Sequence, residues 1–204
     1  MKQRTIVLDF ETTGLSARGG DRVIEVGAVA VVDGKIVEQY QSLMNPGYRV
    51  SSFIEDYTGI SNEMLSDAPN CREVIPRLQA FLEDSVVVAH NASFDRGFLD
   101  AEYEGLGFER EQPFLCSMRI ARRLYPNAPN HKLGTLVRYT EVKQTGQFHR
   151  ALADAEMTAG LWLKMMQRLR SQYALNNINL KLLQKLEGLK ISSTEKWLHE
   201  AASQ

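Results

Sequence analysis

The chain has 204 residues, 44% of them hydrophobic and 24% charged, which suits a globular core and excludes a wholly disordered chain. Its 24 Lys and Arg nearly balance its 25 Asp and Glu, so the net charge of −1 does not by itself mark a nucleic-acid binder. No apolar stretch reaches the roughly 20 residues of a membrane span, so no membrane association is expected.

Met1 to Arg4 runs straight into a short apolar segment, without the features of a secretory leader. Cys71 and Cys116 are too few for a disulfide framework and read as reduced thiols, so a cytoplasmic location is expected. Residues 4–10 are apolar and β-branched, the pattern of a central strand buried on both faces. Val23 to Val32 reads as a second strand, and Asp33-Gly34 as a two-residue hairpin turn. Lys35 to Met44 reads as a third, antiparallel strand, ended by Asn45-Pro46-Gly47.

The period then changes. Glu73 to Leu82 carries Val74, Leu78, Phe81 and Leu82 at helical spacing, with Pro76 inside. Val86 to Ala89 is a short strand, and Phe94 to Tyr103 a helix. Met118 to Leu124 and Leu133 to Tyr139 are short helices, and Arg150 to Leu169 the longest. Strands first, then strand and helices in alternation, predict a layered α+β or α/β domain over residues 1–170. Residues 171–204 form a helical C-terminal appendage, with leucines at helical spacing and a Ser192-x-x-Glu195 capping-box pattern.

Three motifs carry the chemistry. In Asp9-Phe10-Glu11-Thr12-Thr13-Gly14, residues two apart on a strand point to the same side. Paired carboxylates there repel one another, and a hard divalent cation, Mg²⁺ or Mn²⁺, resolves the repulsion. Taken alone the pair is more often two solvated acids. Gly14 permits a tight turn where a substrate backbone can approach. In His90-Asn91-Ala92-Ser93-Phe94-Asp95, a strand delivers Asn91 and a helix places Asp95 in its first turn, a position that also suits a purely dipole-stabilising acid. In His149-x4-Asp154, five residues on an ideal helix are roughly 140° apart. The two side chains converge if Asp154 is helical and His149 lies on the preceding loop, where an imidazole suits a general base. His90, His131 and the Met157, Met165 and Met166 group read as structural.

As a set, these motifs resemble the three exonuclease motifs of the DEDDh superfamily, in the style of the epsilon proofreading subunits of bacterial DNA polymerase III and their free-standing paralogues. The resemblance covers residues 4–170. It implies a ribonuclease H-like fold: a mixed five-stranded sheet, the first three strands antiparallel, flanked by helices. It also implies that Asp9, Glu11, Asp95 and Asp154 hold two divalent ions, with His149 as the base that activates water. The expected activity is 3′→5′ removal of nucleoside 5′-monophosphates from a single-stranded or frayed 3′ end, DNA favoured over RNA. Thr12, Thr13, Gly14, Thr58, Ile60 and Asn91 are the expected substrate contacts. Cys116-Ser117 departs from the acidic residue and Thr that many relatives carry.

RNA 3′-end trimming on the same fold and a non-catalytic binding scaffold are the competing readings. The basic residues between 110 and 150, among them Arg110, Arg119, Arg123, Lys132, Arg138 and Arg150, are expected to give a local basic surface. The appendage has three readings: packing on the domain, forming a homodimer, or docking a DNA polymerase.

Overall fold

A computed structural model of the protein describes residues 4–144 and 149–202. β1 (Thr5–Thr12), β2 (Val23–Val32) and β3 (Lys35–Leu43) form an antiparallel meander, and β4 (Val86–Ala89) and β5 (Phe114–Cys116) add to the far side of β1 in parallel. The order β3-β2-β1-β4-β5 makes a mixed five-stranded sheet with β1 at its centre. Asp33 and Gly34 both take positive φ, the conformation of the expected tight hairpin turn.

Helices cover both faces. α3 (Cys71–Leu82) and α4 (Ser93–Glu104) bury Leu78, Leu82, Phe98 and Leu99 against Ile6, Leu8 and Phe10. On the opposite face lie α5 (Ser117–Leu124), α6 (Leu133–Tyr139) and the 23-residue α7 (Ala151–Tyr173). Ile120, Leu136, Leu161 and Met165 there meet Val7, Val29 and Val88. The alternation of β1 decides what each face receives. Its even-numbered side chains enter the α3/α4 core, while Val7, Asp9 and Glu11 turn toward α7.

Two short helices were not anticipated. α1 (Ser52–Thr58) and α2 (Asn62–Ser66) each start at a serine, Ser51 and Ser61, whose hydroxyl accepts a backbone N–H of the first turn. Their buried residues Ile54 and Leu65 join Ile24, Val50 and Ile60 in a small separate core.

The C-terminal segment departs from expectation in detail. α7 runs to Tyr173, past the boundary expected at 170. Leu175 and Ile178 precede α8 (Leu180–Gly188), whose N-cap is Asn179. α9 (Ile191–Ala202) begins before Ser192, which therefore lies inside the helix and does not cap it. Leu183, Leu186 and Leu198 of these helices are buried in the same core as Trp162 and Leu169 of α7. The appendage thus packs on the domain. No helix among the described residues is long and apolar enough to cross a membrane.

Candidate active site

The site lies where β1 outlasts its parallel neighbour. Pairing with β4 covers Thr5 to Val7 only, while pairing with β2 continues to Thr12. Backbone groups of β1 beyond Val7 on the β4 side therefore need other partners. Asp95, in the first turn of α4, supplies one: its Oδ1 accepts the Phe10 N–H at 3.3 Å. That bond draws the Asp95 carboxylate beside the strand that carries Asp9 and Glu11.

Asp154 arrives from the other face, in the first turn of α7. Its Oδ2 accepts the backbone N–H of His149 at 2.9 Å. His149 lies outside α7 with φ of 65°, a left-handed conformation that is uncommon for a residue with a side chain. The loop placement expected from the His-x4-Asp offset is therefore met, and the chain reverses sharply enough to bring imidazole and carboxylate together. One ligand atom each of Glu11, His149 and Asp154 lies within 4.8 Å of the others. Glu11, Asp95 and Asp154 are 8%, 3% and 7% exposed, so three of the four carboxylates are buried.

Electrostatics matches that crowding. Burial, reinforced by Asp95, Asp154 and Glu11, holds Asp9 well above the ordinary carboxylate range. Burial and the neighbouring acids push Glu11 up to about 8, with Arg150 acting in the opposite sense. Burial lifts Asp95 to about 7, against the pull of backbone N–H groups, and it raises Asp154 as well. The Oδ1 of Asp154 is buried without a hydrogen-bond partner among the described residues. An unpartnered carboxylate oxygen within a group of buried acids suits divalent cations, whose charge removes the mutual repulsion.

The start of α7 is held by residues that the motifs do not include. Glu25, fully buried on β2, accepts Arg150 Nη2 at 2.8 Å and the Ala151 N–H at 3.0 Å. At Gly27, two positions along β2, an added Cβ would lie 2.1 Å from the Leu152 nitrogen, so only glycine lets α7 approach this closely. The one signal in the sequence was an acid inside the otherwise apolar run Val23-Ile24-Glu25-Val26.

Two clefts meet at this cluster, and Asp9, His90, Tyr57, His149 and Asp154 border both. The first, about 570 Å³, includes Thr12, Thr13, Gly14 and Thr58 and is walled by Leu15, Phe53 and Phe94. The second, about 820 Å³, includes Asn91, Lys132 and Arg138. Both volumes are in the range of small-ligand sites. Five of the six expected substrate contacts therefore line a cleft. Ile60 does not: it is fully buried with Ile24 and Val50, and its N–H goes to Thr58 Oγ1 at 3.1 Å. Gly14 also has a reason beyond substrate approach, because a Cβ there would fall 2.5 Å from the Asp21 carboxylate.

The basic stretch is not one patch. Arg110 pairs with Asp100, Arg119 with Glu187 and Arg150 with Glu25, while Arg123 donates to the Leu189 carbonyl. Lys132 and Arg138 are the basic residues on the cleft walls. His90 is structural, as expected. Its ring nitrogens contact Ser117 Oγ and the His131 carbonyl, both at 2.9 Å, and burial pushes its pKa down to about 4.

Comparison with known proteins agrees with this geometry. The family model RNase_T, described as Exonuclease, matches residues 6–162. The chain is 42% identical over 165 residues to the PolC-type DNA polymerase III of Bacillus subtilis, covering 79% of this chain and 11% of that protein. It is 41% identical over 165 residues to the PolC-type DNA polymerase III of Caldanaerobacter subterraneus subsp. tengcongensis, covering 81% of this chain and 12% of that protein. The chain thus spans only about 12% of the length of such curated relatives. A solved structure of Exonuclease X in complex with 5′ overhanging duplex DNA superposes with a TM-score of 0.73 at 29% identity, covering 90% of this chain and 99% of that one. E. coli Exonuclease I in complex with a dT13 oligonucleotide shares the fold, with a TM-score of 0.72 at 15% identity over 85% of this chain and 43% of that one.

Proposed function

The chain belongs to the RNase_T exonuclease family and to the DEDDh 3′→5′ exonuclease superfamily, and from that premise we propose that it removes nucleoside 5′-monophosphates from the 3′ end of single-stranded or frayed DNA. It is a metal-dependent nuclease. The observation that carries the finer reading is that four acids and one histidine, from β1, α4, α7 and the loop before α7, line the first cleft, with Asp9, His149 and Asp154 also bordering the second.

Asp9, Glu11, Asp95 and Asp154 would hold two divalent ions, Mg²⁺ or Mn²⁺, since hard cations prefer oxygen donors. Such a pair supplies charge stabilisation to the attacking and leaving oxygens of an in-line phosphodiester displacement. His149 takes the proton from the attacking water in this reading, supported by a ring nitrogen within 4.8 Å of carboxylate oxygens of Glu11 and Asp154. Thr12, Thr13, Gly14 and Thr58 receive the terminal nucleotide in the first cleft, and Asn91 borders the second. Ile60 supports Thr58 from behind. Residues 1–170 are the catalytic unit in this reading, and 171–204 a helical buttress. The PolC-type relatives support work beside a DNA polymerase, on a frayed primer end.

The test is degradation of labelled strands of equal length: single-stranded DNA, a mismatched primer–template and single-stranded RNA, each with and without Mn²⁺. Stepwise shortening from the 3′ end of DNA, abolished by chelation, is expected. A preference for RNA by orders of magnitude would replace DNA as the substrate, and loss from the 5′ end would overturn the polarity.

A further inference from the structure

His149 is held at its backbone by Asp154, but among the described residues neither ring nitrogen makes a hydrogen bond. A general base is usually oriented by a third group bonded to its far nitrogen, which limits rotation of the ring. Here an aromatic ring packs against the imidazole. The Tyr57 and His149 ring centroids are 4.1 Å apart, with their planes inclined by 38°. Tyr57 in turn stacks on Phe53, one helical turn earlier, at 5.8 Å and 14°.

The helix beneath them is rigidly seated. Ile54 enters the small core with Ile24 and Ile60. Thr58 Oγ1 donates to the Ile54 carbonyl at 2.7 Å and accepts the Ile60 N–H at 3.1 Å. Gly59, with φ of 70°, closes the helix by donating to the Glu55 carbonyl. Tyr57 is therefore a fixed surface, although 51% of it remains exposed at the cleft wall. Hydrophobic burial alone does not account for an aromatic residue left that open.

We infer that Tyr57 is a positioning residue for His149: its ring, braced by Phe53, holds the imidazole over the carboxylate cluster. The inference rests on His149 being the base. It deepens that reading by making a short helix, outside the three motifs, part of the base's alignment. An aromatic contact of this kind sets the expected loss at about three- to tenfold.

The experiment is steady-state kinetics of the full chain on a 3′-labelled single-stranded DNA with Mg²⁺. Tyr57→Ala should lower kcat about three- to tenfold and leave KM within about twofold, since the contact is made to the enzyme's own base. Tyr57→Phe should restore kcat, because the ring and not the hydroxyl does the positioning. In a His149→Ala background, Tyr57→Ala should cost nothing further. A rise in KM with kcat unchanged, or an equal loss in both backgrounds, would overturn the inference and make Tyr57 a direct contact to nucleic acid. Unaltered kinetics in Tyr57→Ala, with His149→Ala inactive, would overturn it while leaving the base in place. Wild-type kcat in His149→Ala would remove the base itself, and with it the role of Tyr57.

Discussion

Glu11 and Glu25 face each other directly across the β1–β2 ladder, yet the two carboxylates have opposite circumstances. Glu25 is held by Arg150 and by the first N–H of α7. Glu11 makes no ion pair among the described residues, and burial with the nearby acids lifts it to about 8 against the weaker pull of Arg150. Like charges directly opposite destabilise a sheet. The pair is tolerated because one member is neutralised by the protein, which in the proposed reading leaves the other for a metal.

Glu25→Ala should therefore loosen the start of α7. It removes the acceptor of Arg150 and of the Ala151 N–H. A loss of about 2 kcal/mol is expected, below the range for fully buried pairs because the Arg150 side chain is 36% exposed. Urea denaturation with an unchanged midpoint would show that the clamp carries no stability.

Asp9→Asn should abolish turnover while raising the melting temperature of the metal-free protein at pH 8. The native carboxylate is disfavoured by burial and by three neighbouring motif acids. Relief of about 1 kcal/mol corresponds to roughly 2–4 °C in a chain of this size. Thermal unfolding in a chelator reads the shift, and residual exonuclease activity above background would count against Asp9 as a ligand.

The same acids set a pH dependence. Glu11 moves from 4.5 to about 8 on folding, and Asp95 from 3.8 to about 7. A carboxyl with a raised folded pKa binds more protons in the folded state, so its contribution to stability falls as pH rises through that window. The metal-free melting temperature should decline between about pH 5 and pH 8. Added Mg²⁺ or Mn²⁺ favours the ionised acids, so the increment it gives should be larger at pH 8 than at pH 6. Equal increments at both values would show that the acids are already ionised before the metal binds.

Gly27→Ala should displace α7 from the sheet, since its Cβ would overlap the backbone of Ala151 and Leu152. A cost of about 1–3 kcal/mol or more is expected, with a larger fall in kcat than in substrate affinity. Normal kcat would mean that α7 can shift without misplacing Asp154.

Leu198→Ala tests the C-terminal helices as part of the core. Leu198 is fully buried among residues of α7 and the sheet. A loss of about 2–4 kcal/mol is expected by denaturant unfolding. A change within error would mark α9 as separable.

Long, periodic elements were legible because burial on one or two faces writes itself into side-chain spacing. β1, β2, most of α3 and most of α7 follow from that alone. α1 and α2 bury Ile54, Thr58 and Leu65 while Phe53, Tyr57 and Met64 stay exposed, so no apolar stripe marks them, and their serine caps were the local signal. The three-residue β5 has the same difficulty, and only the motif resemblance implied a fifth strand. The basic stretch looked continuous because a sequence does not show that Asp100, Glu187 and Glu25 reach back to three of its arginines. The five motif residues were legible as a set. The surroundings that govern them, Glu25, Gly27 and Tyr57, lie 92 to 126 positions before the residues they touch and carry no motif of their own.

The early end of β4 has one more consequence. The antiparallel half of the sheet is longer than the parallel half, so the carboxylates stand at a notch bordered by strand on one side and by connecting segments on the other. The acids on β1 cannot shift without breaking the sheet's register, whereas residues 132–138, on the wall of the second cleft, belong to no strand. In the proposed reading, chemistry is thereby tied to the most constrained strand and substrate choice to walls outside the sheet. In the proposed reading, a new 3′-end preference calls for changes on the second cleft's wall and none on β1.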